Sequence, residues 1–261
     1  MLNRAFSSLG CPELSLEEVL ALAERHGVPG VELRALEGTV DLVSVFAARY
    51  GTPAGLAARL RDCPVRIVGL GTSVRLMAPR KGDRAALTAL APWAEAADVP
   101  YLRVFDGGER GDASEFAHAH SLLGWWRDAR PAVGLIVETH DGIADPAVLA
   151  RFLDAVPDVA LLWDAHHTWK KGGQDPVETW KLVAPRTRHI HVKDSVSQPG
   201  PRLPYSYVLP GAGEFPMRAL CTALSGYDGV LSLEWERLWH PDLPPMDEAL
   251  RAAGGWWSPN G

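Results

Sequence analysis

VGLIVE at residues 133–138, VALLWD at 159–164, HIHV at 189–192 and VLSLE at 230–234 are short apolar runs that end in a carboxylate or carry an imidazole. Runs of this length between turn residues read as strands covered on both faces. Working outward, the strand-like runs are Asn3 to Ser8, Gly30 to Leu33, Val65 to Leu70, Val99 to Phe105, Val133 to Val137, Val159 to Trp163, His189 to Val192 and Gly229 to Leu233. From the first start at residue 3 to the last at 229, seven intervals average about 32 residues, the length of a strand with its crossover helix. Eight such units predict a (β/α)8 TIM barrel. A doubly wound sheet would usually place a glycine-rich phosphate turn after its first strand, and none stands here.

Helix punctuation falls between the runs. Ser15-Leu-Glu-Glu18 is a capping box ahead of the stripe Val19, Leu20, Leu22 and Ala23, with Gly27 as a stop. Asp145-Pro146 and Asp175-Pro176 each set a capping carboxylate before a first-turn proline. Asp112 with Glu115 opens another helix, and Asp83 to Ala97 and Pro216 to Leu224 supply two more with less distinct starts. The weakest stretch is Asp41 to Arg61, interrupted at Gly51-Thr-Pro53, and Gln198 to Gly213 reads as a loop. No linker divides residues 1–261, so a single domain is expected.

Composition narrows the function. Of 261 residues, 47% are hydrophobic and 22% charged, as in chains with a large packed core. The net charge of −6, without a basic run, argues against nucleic acid as partner. No stretch free of Asp, Glu, Lys and Arg approaches the roughly 20 residues of a membrane span. The N-terminal segment lacks the apolar core of a secretory signal, so a cytoplasmic protein is expected. Cys11, Cys63 and Cys221 are far apart with no CxxC, which excludes a cysteine-based zinc site and a disulfide framework. Ten tryptophans are the one excess, and aromatic planes serve both cores and sugar clefts.

In a TIM barrel the chemistry sits at the C-terminal ends of the strands. Those ends carry Glu138, Asp164, His189 with His191, and Glu234 on four consecutive strands. Three carboxylates aimed at one axis need a cation to offset their repulsion. Three oxygen ligands and one imidazole suit a divalent ion such as Mn²⁺, with Mg²⁺, Co²⁺ or Zn²⁺ as alternatives.

At these residues the sequence resembles a known family. VETHDG (137–142), WDAHHTW (163–169), HIHVKDS (189–195), PGAGEF (210–215) and LSLEWERLWHP (231–241) are similar to the xylose isomerase-like TIM-barrel family of sugar phosphate isomerases and epimerases, and VELR (31–34) and YLRVFDGG (101–108) extend the likeness. The resemblance implies a metal held by Glu138, Asp164, His191 and Glu234. It also implies a substrate contact from His167, three residues after the aspartate.

Further pocket candidates follow from strand alternation, which puts Glu32 with Arg34, and Glu138 with His140, on one inward face. Arg103 and Lys193 join them. For Arg34 and Arg103 the competing use is an ion pair with Glu32 or Asp106 that fills the barrel top. His189 lies one layer deeper and reads as core. Trp163 and Trp235 should point outward to the helices, whereas Trp169 and Trp239, in loops, can stack on a sugar face. Trp256 and Trp257 leave packing or a subunit contact as their uses.

Such a site suits proton abstraction beside a carbonyl, with Glu138 and Glu234 as an acid–base pair across an enediolate. The expected substrate is a small sugar, a sugar phosphate or a polyol-derived ketone. Three alternatives use the same scaffold. A hydro-lyase acting on an inosose or dehydroshikimate-like ring begins with the same proton removal. An apurinic nuclease needs histidines after strands three and four, where this chain has Thr72-Ser73 and Asp106-Gly107. A non-catalytic sugar-binding protein would not need both glutamates.

Overall fold

The computed structural model describes residues 3–129 and 132–257. Its strands are β1 (Asn3–Ser7), β2 (Gly30–Leu33), β3 (Arg66–Arg75), β4 (Tyr101–Phe105), β5 (Gly134–Glu138), β6 (Leu161–Asp164), β7 (Thr187–Val192), β8 (Asp194–Val196), β9 (Ser206–Val208) and β10 (Val230–Leu233). The first seven and β10 pair in parallel and close into an eight-stranded barrel, in the order β1-β10-β7-β6-β5-β4-β3-β2. Closure runs through β1 and β10, where Asn3 faces Val230 and Phe6 faces Leu233.

The helices are α1 (Leu16–Arg25), α2 (Leu42–Tyr50), α3 (Pro53–Leu60), α4 (Asp83–Ala96), α5 (Ala113–Ala129), α6 (Pro146–Ala155), α7 (Ala165–Lys170), α8 (Pro176–Val183), α9 (Met217–Ala223) and α10 (Met246–Trp256). Their starts obey the capping chemistry of the sequence. Asp145 accepts from the amides of Ala147 and Val148, and Asp175 from those of Val177 and Glu178. Ser15 and Glu18 exchange the reciprocal bonds of a capping box. Ser15→Ala should therefore cost about 1 kcal/mol, read as a lower urea midpoint by circular dichroism. No helix among the described residues is long and apolar enough to cross a membrane.

Three segments depart from the sequence reading. Asp41 to Arg61 forms two helices, because Gly51 takes a positive φ of 71° and Thr52 caps the second helix through the Gly55 amide. The expected loop at 198–213 contains β9, which pairs antiparallel with β8 as a hairpin beside the barrel. The tail folds as α10, which has no clear start signal because its cap position is Pro245 and offers no side-chain bond.

Trp163 and Trp235 are fully buried and face the outer layer. Trp163 stacks on Trp180 of α8 at 5.7 Å, and the Trp235 indole donates to the Pro244 carbonyl. Trp257 is buried, and Trp256 packs on Phe215 at 6.1 Å, so packing accounts for both.

Buried carboxylates shape the loops above the strands. Asp106 accepts the amides of Gly108, His140, Asp141 and Ile143. Asp194 likewise accepts those of Ser195, Gly211, Gly213 and Phe215. Each ties two segments distant in sequence, so the rim of the barrel is held by fixed acceptors.

Candidate metal centre

β5, β6, β7 and β10 each deliver one donor to the same end of the barrel. Glu138, Asp164, His191 and Glu234 offer atoms that all lie within 4.8 Å of one another, and all four residues are buried. Both carboxylate oxygens of Glu138, Oδ2 of Asp164 and Nδ1 of His191 are buried without a hydrogen-bond partner. Buried polar atoms are rarely left so, and each orphan costs free energy unless an ion or solvent satisfies it. These orphans converge on one point, and the donor set fits a divalent cation.

The histidine is aimed from behind. Glu32 on β2 holds His191 Nε2 at 2.6 Å, which turns Nδ1 toward Glu138 at 3.6 Å and Glu234 at 3.4 Å. A carboxylate on the far nitrogen is the usual way to fix the tautomer of a metal-binding imidazole. His189 Nε2 also approaches the same Glu32 oxygen, at 3.3 Å, and stays in the core as expected. Glu32 thus engages both histidines through Oε2, while its Oε1 is buried without a hydrogen-bond partner.

Lys193 supplies an internal counter-charge. Its ammonium lies 2.8 Å from Asp164 and 2.7 Å from Glu236, and it bonds Glu234 as well. Burial would lower its pKa, but Asp164, Glu234 and Glu236 hold it well above the ordinary lysine range. Burial pushes Asp164 up to about 6 against the pull of Lys193, with Glu234 and Glu138 adding to the rise. Burial also opposes charge on His191, yet Glu234 and Glu32 raise it well above the usual imidazole value.

The remaining candidates surround this group unequally. The His167 amide donates to Asp164 Oδ1 at 2.7 Å, so Asp164 caps α7 while its second oxygen, 2.8 Å from the Lys193 ammonium, turns toward the centre. His167 Nδ1 lies 3.1 Å from Asp164 Oδ2, and its ring meets His140 edge-on at 4.8 Å. Its neighbour His166 points away, bonded to Ser195 Oγ at 2.8 Å among Trp169, Tyr205 and Tyr207.

Arg103 pairs with Glu138 at 3.2 Å and lies over the Phe105 ring at 4.1 Å. Arg34 bonds Ser73 Oγ at 2.9 Å. Neither guanidinium forms the ion pair with Glu32 or Asp106 weighed above, since the histidines and loop amides already occupy those acids. Trp169 is partly buried and packs edge-on against His166 and Phe215, with the Lys170 ammonium 4.4 Å from its ring centre. Trp239 remains 45% exposed on the rim.

Sequence reading missed Glu236 and Tyr207. Glu236 bonds the Tyr207 hydroxyl at 2.9 Å as well as Lys193, and a cavity of about 210 Å³ opens beyond Tyr207 between Arg202, Tyr205, His240 and Leu243. The spacing of two residues from Glu234 was a usable signal for Glu236. Tyr207 sits in the β8–β9 hairpin, in a stretch that reads as loop.

Comparison with known proteins agrees with this architecture. Among solved structures the chain is similar to the probable 3-DHS dehydratase AsbF involved in petrobactin synthesis from Bacillus anthracis, with a TM-score of 0.78, 18% identity and 97% of each chain covered. It is similar to the IOLI protein with a binding zinc atom, with a TM-score of 0.76 and 19% identity over 97% of this chain and 95% of that one. A xylose isomerase domain protein from Planctomyces limnophilus gives a TM-score of 0.70 and 18% identity over 97% and 94%. No curated protein sequence matches the chain. At such identities the structural likeness speaks for the fold. The model of the xylose isomerase-like TIM barrel matches residues 20–257, nearly the whole chain, and the chain belongs to that family.

Proposed function

We propose that the protein is a divalent-metal-dependent isomerase or epimerase of a small sugar or polyol-derived ketone. The observation that carries the reading is the convergence of Glu138, Asp164, His191 and Glu234 on one buried point, where Glu138, Asp164 and His191 each leave a polar atom without a hydrogen bond. Mn²⁺ suits three carboxylates and one imidazole, and zinc is the ion in one similar structure. When bound, such an ion supplies Lewis acidity to a carbonyl and its adjacent hydroxyl.

The chain's own residues do the rest. Glu138 and Glu234 stand on strands separated by β6 and β7, so they flank a substrate from two sides. One carboxylate takes the proton from the carbon beside the carbonyl, and the other returns a proton. Return at the same carbon gives an epimer, and return at its neighbour gives an isomer. His167 lies next to both Asp164 and His140, where it can hold a substrate hydroxyl. His167→Ala should lower turnover while leaving metal content largely unchanged, and elemental analysis beside kinetics checks this.

A hydro-lyase is the second reading. It is favoured by the dehydratase named among the similar structures and by Lys193, an ammonium at the site able to protonate a departing hydroxyl. One experiment separates the two. A metal-loaded screen of ketoses, inososes and their phosphates, followed by NMR in D₂O, should give deuterium at the carbon beside the carbonyl in a product that has lost no water. Loss of water from the product selects the hydro-lyase, and no exchange with any member rejects both.

A further inference from the structure

Glu138, Asp164 and Glu234 stand at the ends of β5, β6 and β10, whereas Arg34, just after β2, and Arg103 of β4 lie on either side of Gly71 of β3. A Cβ at position 71 would lie 2.7 Å from Arg34 Cδ and 3.0 Å from Arg103 Nη2, so only glycine lets the two side chains cross there. Arg103 has its counter-charge in Glu138 at 3.2 Å and donates to the Thr72 carbonyl at 2.9 Å.

Arg34 has no such partner. It is 4% exposed, and its one hydrogen bond to another side chain goes to the neutral Ser73 hydroxyl. No carboxylate among the described residues lies within ion-pair distance of it, and its Nη1 is buried without an acceptor. Burial and the neighbouring Arg103 charge press its pKa down to about 10. A side chain that served only to fill the barrel top would be apolar or paired, because an unpaired buried charge is strongly unfavourable.

We propose that Arg34, with Arg103 beside it, receives a carboxylate group of the substrate, so that the enzyme acts on a ketone bearing an acid function and not on a neutral sugar. The inference rests on the proposed metal-dependent reaction for the other end of the substrate. Of the two anions a guanidinium holds in its fork, a carboxylate brings one negative charge and a phosphate up to two, and the smaller charge is the easier to place beside Glu138 and Glu234. A carboxylate also matches the planar fork of a guanidinium.

Calorimetric titration of metal-loaded and metal-free protein with glycerate, gluconate and quinate, each beside its methyl ester, tests the proposal. At least one acid should bind more tightly than its ester. Arg34→Gln should weaken that acid by at least about thirtyfold, the scale of removing one partner of a buried charge pair, while leaving the ester unchanged. Arg34→Lys, which keeps the charge, should recover part of the loss and covers a failure of the glutamine variant to fold. Equal binding of acids and esters, no binding of any acid, or a preference for glycerol phosphate over glycerate overturns the assignment. Metal uptake, measured on the same samples, separates the outcomes: acid binding without metal uptake leaves the carboxylate site standing and rejects the metal-dependent reaction.

Discussion

Glu138→Gln and Glu234→Gln are each expected to lower turnover by at least about a hundredfold, the low end of what general acid–base catalysis contributes. The amide keeps the size of the side chain and one oxygen able to coordinate, so metal content should fall less than rate. What disappears is the ability to accept a proton. The two variants should differ in a diagnostic way. If Glu138 removes the proton, Glu138→Gln loses exchange of the substrate C–H with D₂O, whereas Glu234→Gln retains exchange yet forms no product. The opposite pattern reverses the roles, and full activity in both metal-loaded variants rejects the two-carboxylate mechanism. Glu138 already faces Arg103 at 3.2 Å, which lowers its pKa against the effect of burial. It is thus ionised, as a base must be.

Asp164→Ala should reduce metal affinity by at least about a hundredfold, beyond the 10–100-fold that residues merely supporting a ligand contribute. The substitution removes a donor oxygen and also the acceptor that caps α7 through the His167 amide. Elemental analysis after dialysis, and competition with a chelator, measure the loss; wild-type metal content in the variant removes Asp164 from the centre. Acidification should act in the same direction. In the metal-free protein His191 is protonated well above the usual range and Asp164 up to about 6, so metal must displace protons to bind. Affinity therefore falls as pH drops toward 6 and below. Titration in two buffers of different ionisation enthalpy should register proton release on binding at pH 7, and a pH-independent affinity between 5 and 8 would contradict the donor set.

The barrel was legible because strand spacing and caps agree. Each apolar run from Asn3 to Leu233 became a strand within a few residues, and Ser15, Asp145 and Asp175 cap the helices they announce. Site composition was legible for a related reason: a strand end has one inward position, so the chemistry of that residue is visible without tertiary data. What escaped depends on contacts between distant segments. Nothing local distinguishes Glu32 as a partner of His191, 159 residues away, from a residue open to substrate. The β8–β9 hairpin escaped because its strands are three residues each and its connection is rich in proline and glycine, which conceals alternation. The neighbours of Trp169 were not legible either, because loop position says nothing about which way an indole turns, and here Phe215 and His166 pack against it.

The bond from Glu32 to His191 Nε2 joins a residue of the second strand to one of the seventh, and β10 must still close the ring beside them. During synthesis, then, the imidazole can be oriented as soon as β7 has emerged, but Glu234 arrives only with the final strand. A nascent chain lacking β10 has three of the four donors and no closed wall to hold them. Lys193 likewise gains its partner Glu234 only when β10 is in place, so until then the nascent barrel leans on its apolar packing. Closure by β10 thus completes the barrel wall and the cluster of charges in one step.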